Sequence, residues 1–202
     1  MKKQVVVIHG GSTHRTYKEY LAYLKSLKIY LDRYKREGWK GKLQDKLGAG
    51  FEVLLLKMPN PINAQYPEWK ILFAKVASLL RNNVILIGHS LGGVFLAKYL
   101  SENKFPKKIL ASILVAAPYD QKDIKEFLGD FVISNNLARF KKQGGQIFLF
   151  HSQDDPIVPY VDLTKYQQAL PEAVVRTLKK RGHFMQPEFP ELVREIKRIG
   201  RK

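Results

Sequence analysis

Residues 84–93 read Val84-Ile85-Leu86-Ile87-Gly88-His89-Ser90-Leu91-Gly92-Gly93, and this stretch decides the fold. Its first four residues are all apolar, which is the pattern of a strand buried on both faces of a parallel sheet. The next segment, 93–101, has the composition of a helix. A buried strand that passes through a glycine-rich turn into a helix places Ser90 at the carboxyl end of that strand, where open α/β sheets form their ligand sites.

Five more short apolar runs extend this unit to a whole sheet. Together the predicted strands are 5–9, 51–56, 84–87, 109–116, 147–151 and 174–178. The segments between and after them predict helices at 17–35, 69–80, 93–101, 123–127, 163–169 and 190–199. Strands that alternate with helices predict an α/β fold, with a mostly parallel sheet of about six strands and helices on both faces.

Two regions, 36–50 and 119–143, exceed what a minimal sheet of this kind needs. The first is rich in Gly and Lys and lies between the first helix and the second strand. The second follows the carboxyl end of a strand, where inserted segments often cover a site. We therefore predict a short lid at 119–143.

Composition excludes several classes of protein. The chain has 202 residues, with 35 Lys or Arg against 18 Asp or Glu, so its formal net charge is +17. This length predicts one domain over residues 1–202 with a sizeable core. Cysteine is absent, which excludes disulfides, thiolate metal ligands and a cysteine nucleophile. The apolar run 5–8 is too short for a signal peptide, and no run approaches the about 20 residues that span a bilayer, so we expect a cytoplasmic protein without membrane insertion.

Ser90 is the candidate nucleophile. Its strand–turn–helix context is that of a nucleophile elbow, a turn so sharp that side chains in place of Gly88 and Gly92 would collide with neighbouring backbone. The hydroxyl then projects at the start of the helix, and the backbone N–H of Leu91 is free to stabilise an oxyanion. The competing interpretation is a glycine-rich turn with an incidental serine.

A serine nucleophile needs a base, and chain order selects one of the five histidines. In sheets with such an elbow the order along the chain is serine, acid, histidine. His151 and His183 both follow Ser90, but His151 precedes the acidic candidates, so His183 is the predicted base. The competing interpretation of His183 is a surface histidine on a basic loop.

The acid is predicted in the turn after the fifth strand, where Asp154 and Asp155 stand side by side before Pro156. Two adjacent carboxylates cannot both point at one imidazole. The proline restrains the backbone of Asp155 and can fix its direction, whereas Asp154 can cap the turn. These features leave the choice between the two aspartates open.

Landmarks along nearly the whole chain resemble those of small single-domain serine hydrolases of the α/β-hydrolase superfamily, the group that contains the retinoblastoma-binding serine hydrolase and its bacterial relatives. The matching residues are His9-Gly10-Gly11, Lys57-Met58-Pro59-Asn60-Pro61 with Trp69, Gly88–Gly92, Asp154-Asp155-Pro156 with Pro159, and Gly182-His183-Phe184. The resemblance implies that Asp155 orients the histidine and that Gly11 supplies a second oxyanion donor. The stretch 17–50 departs from the group's pattern, because it is longer and more basic.

Acyl transfer to water is the implied reaction. His183 takes the proton of Ser90 as the hydroxyl attacks the carbonyl of a small ester, thioester or amide, and Asp155 holds the imidazole. This chemistry requires no metal and no organic cofactor. The candidate substrate-binding residues are Ser12, Asn60, Trp69 and His89. The small chain and its short lid candidate predict a carboxylesterase for short to medium acyl chains.

The basic excess supports a different class of function, a module that binds nucleic acid or another protein on a hydrolase-like scaffold. The basic residues are spread along the chain, and no helix-turn-helix, zinc-finger or RNA-binding motif accompanies them. We therefore expect a solvated basic surface. The tyrosines of the first helical segment are expected to be partly buried packing residues: Tyr17, Tyr20, Tyr23, Tyr30 and Tyr34.

Overall fold

A computed structural model describes residues 2–31, 38–133 and 136–201, and its centre is a six-stranded sheet in which every neighbouring pair is parallel. The strands are β1 (Lys3–Ile8), β2 (Phe51–Leu56), β3 (Val84–His89), β4 (Ile109–Val115), β5 (Gln146–Ser152) and β6 (Val174–Leu178). Their order across the sheet is β2-β1-β3-β4-β5-β6. All six carboxyl ends therefore lie at one edge, and the loops that leave them can meet there.

The described residues contain seven α-helices, and six of them, all except the first, pack on the two faces of this sheet. They are α1 (Tyr17–Ser26), α2 (Leu43–Leu47), α3 (Tyr66–Leu79), α4 (Leu91–Glu102), α5 (Ala138–Gln143), α6 (Val161–Ala169) and α7 (Pro190–Gly200), with a short 3₁₀ helix at Gly129–Phe131. The predicted α/β fold with helices on both faces is confirmed.

Two apolar clusters form the core, one on each face of the sheet. Along β1, Val6 and Ile8 belong to the cluster that receives α3, α4, α5 and α6, whereas Val5 and Val7 belong to the cluster that receives α2 and α7. This alternation explains why the strand is apolar without interruption, since both of its faces are buried. In the register of the sheet Ile8 is opposite Gly88, so the chain leaving β1 emerges beside the turn that leaves β3.

The first helix is shorter than predicted. The prediction of a helix over 17–35 is wrong beyond Ser26, because the backbone is extended at Leu27 and residues 28–31 are not helical. Residues 32–35 lie outside the described part of the chain. None of the side chains of α1 is buried, so the helix has little beyond local hydrogen bonds and its Thr16 cap to extend it.

The tyrosines on this segment are less buried than expected. Tyr20 and Tyr23 are partly buried, whereas Tyr17 is 69% exposed and Tyr30 is also exposed. The expectation of packing is wrong for Tyr17, because α1 does not lie on the core, and for Tyr30, which lies beyond the end of α1 and is exposed. Tyr34 lies outside the described residues.

The segment 119–143 is built differently from the prediction. Residues 123–127 were expected to be helical and are not, because the side chain of Gln121 supplies the hydrogen bonds that a helix would make. It donates to the carbonyls of Ile124 and Glu126 and accepts from the N–H of Leu128. Apolar side chains of this segment, among them Phe131, are buried in the core cluster. Its role as a lid stays a prediction.

The stretch 36–50 contains a short helix, α2, that periodicity did not reveal. Leu43 and Leu47 of this helix are buried against the face that also receives α7. Five residues are too few for a helical period to show in the sequence. In the described residues, no helix is both long and apolar enough to cross a membrane.

Candidate active site

Ser90 occupies the sharp turn that joins β3 to α4. Its backbone has φ = 55° and ψ = −124°, a conformation that residues with side chains rarely adopt. Two hydrogen bonds hold the turn: the Ser90 N–H donates to the Val115 carbonyl over 2.8 Å, and the Ser90 carbonyl accepts from the Gly93 N–H over 2.8 Å. A strained serine held in this way at the end of a central strand has the geometry of a nucleophile elbow.

Lack of space explains the glycines around this turn. A Cβ atom on Gly88 would lie 2.6 Å from the Cα of Gly93, and one on Gly92 would lie 2.5 Å from the carbonyl oxygen of Ile8. A Cβ on Gly93 would lie 2.6 Å from the Cβ of Ala117. The prediction that side chains at the two elbow glycines would collide with backbone is confirmed. The same close approach sets the start of α4 against the end of β1.

His183 and Asp155 form a buried pair after β6 and β5. The Nδ1 atom of His183 lies 2.9 Å from one carboxylate oxygen of Asp155 and 3.1 Å from the other. The carboxylate also accepts hydrogen bonds from the N–H groups of Ile157 and Val158, at 2.9 and 3.0 Å. These donors hold an anionic Asp155 in place, and the pair leaves the Nε2 atom of His183 as the imidazole's second nitrogen for a reacting group.

Asp154 makes different contacts from its neighbour. Its carboxylate accepts from the hydroxyl of Ser152 and from the N–H of Gly182, which lowers its pKa. Asp154 therefore ties the turn after β5 to the loop that carries His183. The two aspartates point to different partners, and only Asp155 contacts the imidazole.

Ser90 and His183 line one open cavity of about 500 Å³ at the carboxyl edge of the sheet. The prediction brought together these two residues from separate parts of the chain, and the structure places both in the lining of the same cavity. The other lining residues are His9, Gly10, Gly11, Ser12, Lys40, Pro61, His89, Glu126, Ile157 and Met185.

The two candidate oxyanion donors lie close to each other. Leu91 is the first residue of α4, so its N–H has no acceptor within the helix. A Cβ on Gly11 would lie 3.2 Å from the Leu91 side chain and 2.6 Å from the carbonyl of Pro61. The backbone of Ser12 fixes this approach, because it donates to Pro61 over 2.9 Å and accepts from Ala64 over 2.9 Å.

The predicted substrate-binding residues divide into two pairs. Ser12 and His89 line the cavity, whereas Asn60 and Trp69 are not among its lining residues. Trp69 is fully buried and its indole donates to the carbonyl of Pro59, so it fixes the loop after β2. The amide of Asn60 donates to Glu68 at the surface. The contacts of Asn60 and Trp69 in the structure are with the protein itself, and substrate binding by these two residues stays a prediction.

Comparison with known proteins agrees with this geometry. The family model for serine hydrolases matches residues 31–189. The chain belongs to the serine hydrolase family. It is 30% identical over 162 residues to the serine hydrolase RBBP9 of Rattus norvegicus, which covers 79% of this chain and 85% of that protein. It is also 24% identical over 190 residues to the protein YdeN of Bacillus subtilis, covering 93% of this chain and 89% of YdeN.

Solved structures confirm the fold of this serine hydrolase family member. The crystal structure of the ydeN gene product of Bacillus subtilis superposes with a TM-score of 0.74 at 21% identity, covering 100% of both chains. A monoacylglycerol lipase of Paleococcus ferrophilus superposes with a TM-score of 0.64 at 18% identity, covering 98% of this chain and 94% of that one. At these identities the likeness establishes the α/β-hydrolase fold alone.

Three further histidines support the loops of the candidate active site, and the sequence did not reveal this role. His9, at the end of β1, accepts the N–H of Met58 at Nε2 over 2.9 Å. Its Nδ1 must then carry the proton, which it donates to the carbonyl of Gly10 over 2.6 Å. Burial lowers the pKa of His9 and keeps the ring neutral. The loop that carries Gly11 is thereby fixed to the loop after β2.

The other two histidines each support one member of the buried pair. Nε2 of His89 donates to the carbonyl of His183 over 2.9 Å, and Nε2 of His151 donates to the carbonyl of Val158 over 2.9 Å. Burial lowers the pKa of both rings. The ring of His89 also lies with its centre 5.0 Å from that of His183, where it holds the loop of the candidate base, and its predicted contact with substrate stays a prediction.

Lys40 is the residue of the cavity that sequence reasoning missed most completely. It belongs to a basic stretch in which no feature of the sequence distinguishes one lysine from another. In the structure it is partly buried on the cavity wall, and desolvation lowers its pKa to about 8. Glu126, Ile157 and Met185 also line the cavity without having been predicted.

One acidic cluster in the described residues has the spacing of a metal site. It consists of Asp120, Asp123 and Asp162. The ammonium group of Lys165 lies 2.7 Å from oxygens of the first two and 3.1 Å from the third, so a side-chain cation already pairs with all three aspartates. None of them lines the cavity that contains Ser90.

Proposed function

We propose that this serine hydrolase cleaves carboxylic esters through Ser90, His183 and Asp155. The hydroxyl of Ser90 attacks the ester carbonyl while Nε2 of His183 removes its proton. The same imidazole then protonates the departing alkoxide, which leaves the acyl group on Ser90. Water, deprotonated by His183, attacks this acyl-enzyme and releases the carboxylic acid.

The carboxylate of Asp155 holds Nδ1 of His183 protonated and stabilises the imidazolium that forms in each half of the reaction. The N–H groups of Leu91 and Gly11 are the donors for the oxyanion of each tetrahedral intermediate. A donor of this kind stabilises the transition state by about 3 kcal/mol in comparable sites.

The observation that carries this proposal is the buried His183–Asp155 pair on the wall of the cavity that contains the strained Ser90. A structural histidine would not require an anionic carboxylate held by two backbone donors. A structural serine would not require a positive φ between glycines that cannot be replaced. The three features together fit nucleophilic catalysis.

Labelling with a fluorophosphonate probe tests the nucleophile directly. The wild-type protein is expected to label, and Ser90→Ala is expected not to label. Ser12→Ala is the matched control, because Ser12 lines the same cavity and its structural contacts are made by its backbone. A wild-type protein that does not label, or labelling that persists in Ser90→Ala, would contradict the proposal.

The acyl preference follows from the size of the cavity. At about 500 Å³ and open to solvent, it suits short to medium acyl chains. On a series of p-nitrophenyl esters from acetate to palmitate, kcat/KM is expected to reach its maximum between butyrate and octanoate. A maximum at palmitate would exclude the carboxylesterase assignment. A thioester and an amide with the preferred acyl group complete the series and decide the bond type.

A further inference from the structure

Lys40 presents an unpaired cation to the same cavity as Ser90 and His183. Within the part of the chain that the structure describes, its ammonium group makes neither a hydrogen bond nor an ion pair. The centre of the Trp39 ring lies 4.9 Å from Nζ of Lys40. Most lysines of a basic protein extend into solvent, whereas Lys40 is partly buried at the candidate active site.

The position of Lys40 is fixed relative to His183 through its neighbour Trp39. The indole N–H of Trp39 donates to the carbonyl of Phe184 over 2.9 Å, and its backbone N–H donates to the carbonyl of Gln186 over 3.3 Å. Trp39 is buried, with its ring edge-on to that of His89. The segment that carries Lys40 is thus attached to the loop that carries the candidate base.

Among the described residues, the groups around Lys40 do not neutralise it. His9 and His89 are the imidazoles that interact with its charge, and burial keeps both neutral. Glu126 lines the cavity but is exposed and makes no ion pair with Lys40 within the described chain. A partly desolvated ammonium without a counter-ion gains free energy when an anion enters the cavity and binds it.

We propose that Lys40 binds an anionic group of the substrate, so that this enzyme prefers esters that carry a carboxylate or phosphate. The inference rests on the proposed esterase function and adds the substrate class to it. Lys40 is in this scheme a specificity-determining residue, which contacts the charged part of the substrate while Ser90 attacks the carbonyl.

Two matched pairs of esters test the preference on either side of the scissile bond. Mono-p-nitrophenyl adipate against p-nitrophenyl hexanoate places the carboxylate on the acyl side. The ester 4-acetoxybenzoate against its methyl ester places it on the alcohol side. For each pair the measured quantity is the ratio of kcat/KM for the anionic ester to kcat/KM for the neutral one.

In Lys40→Met this ratio is expected to fall by about tenfold for one pair, as for the loss of one charge-assisted hydrogen bond. Lys40→Arg keeps the charge and is expected to retain the ratio. Lys104→Met is the matched control, because it removes one positive charge from an exposed lysine before β4, at the opposite edge of the sheet. Fluorophosphonate labelling of Ser90 shows that each variant is folded, and Lys40→Gln serves if Lys40→Met is not.

The pH dependence of the wild-type ratio tests the same inference without a variant. Below pH 8 Lys40 is charged, and above it the charge is lost, so the ratio is expected to fall between pH 7 and pH 9. His9, His89, His183 and Glu126 also face this cavity, so Lys40→Arg is the control: its guanidinium stays charged over this pH range, and its ratio is expected to stay constant.

Two results would overturn the inference alone, provided that the wild-type enzyme labels at Ser90. The first is a ratio that is the same in Lys40→Met as in the wild type for both ester pairs. The second is a fall of the ratio in Lys104→Met as large as that in Lys40→Met. A wild-type protein that fails to label at Ser90 would overturn the proposed function, and this inference with it. The labelling step therefore separates the two failures.

Discussion

The loops that follow β3, β5 and β6 differ from the segment 9–50, which joins β1 to β2, in what fixes their shape. At the ends of these strands, close contacts with the backbone fix the conformation. Gly88 and Gly92 pack against neighbouring main chain, and two backbone N–H groups hold the carboxylate of Asp155. In the segment 9–50, α1 buries no side chain and α2 has only five residues. The strand-end loops carry Ser90, Asp155 and His183, whereas the segment 9–50 supplies Gly11 and Lys40 to the same cavity.

The largest effect is expected at the two adjacent aspartates after β5, where one carboxylate contacts the imidazole and the other holds the turn. Replacing Asp155 by Asn is expected to lower kcat by about 10⁴-fold, because an amide donates to Nδ1 of His183 and selects the wrong imidazole tautomer. Asp154→Asn is the matched control and is expected to change kcat by less than about tenfold, since Asp154 contacts Ser152 and Gly182 but not the imidazole. The measurement is steady-state hydrolysis of p-nitrophenyl butyrate at pH 7.

Equal losses of kcat in Asp155→Asn and Asp154→Asn would contradict this prediction. They would mean that both aspartates act by holding the turn, and that the contact of Asp155 with His183 is not what matters for catalysis. Unfolding by urea, compared between the two proteins, separates this outcome from simple destabilisation of the turn. A variant with wild-type stability and reduced kcat has lost the orientation of the imidazole.

What the sequence predicted correctly reflects how strongly neighbouring residues constrain each other. The spacing of Gly88, Ser90 and Gly92 predicted the elbow, because a strained turn between a buried strand and a helix needs those residue types within a few positions. Chain order selected His183, which the structure places against Asp155 in the lining of the cavity that contains Ser90. The presence of helices on both faces of the sheet also followed from the sequence, since uninterrupted apolar strands require burial on both sides.

What the sequence could not predict depends on contacts between distant segments. The choice between Asp154 and Asp155 rests on which carboxylate meets the imidazole, and the residues alone left it open. Lys40 is distinguished from other lysines by the bond between Trp39 and Phe184, which lie 145 positions apart. The loop at 123–127 took the place of a predicted helix because one side chain, that of Gln121, satisfies its backbone.

The second test concerns glycines and has a smaller expected effect. Gly92→Ala is expected to lower the free energy of unfolding by more than about 3 kcal/mol, because its Cβ would overlap the carbonyl at the end of β1. Gly50→Ala, in the segment 9–50, is the control: its Cβ would meet nothing within 4 Å. Its expected change is within about 0.5 kcal/mol. Equilibrium unfolding in urea measures both.

A Gly92→Ala protein as stable as the Gly50→Ala protein would show that the start of α4 can move away from β1. Such a movement would also displace the N–H of Leu91 from that of Gly11. Labelling by the fluorophosphonate probe would then fall even though the fold is intact, and that combination would contradict a rigid elbow.

The last test compares the loss of unfolding free energy when a leucine is truncated in each of two helices that both carry apolar residues. In α7 Leu192 is fully buried, so Leu192→Ala is expected to cost about 2–5 kcal/mol of unfolding free energy. In α1 Leu21 is 38% exposed and no residue is buried, so Leu21→Ala is expected to cost less than about 0.5 kcal/mol. A cost for Leu21 near that for Leu192 would mean that α1 packs on an apolar surface in solution. The difference in cost reflects the surroundings of each helix in the fold: α7 packs on the core cluster of its face, whereas α1 buries no side chain.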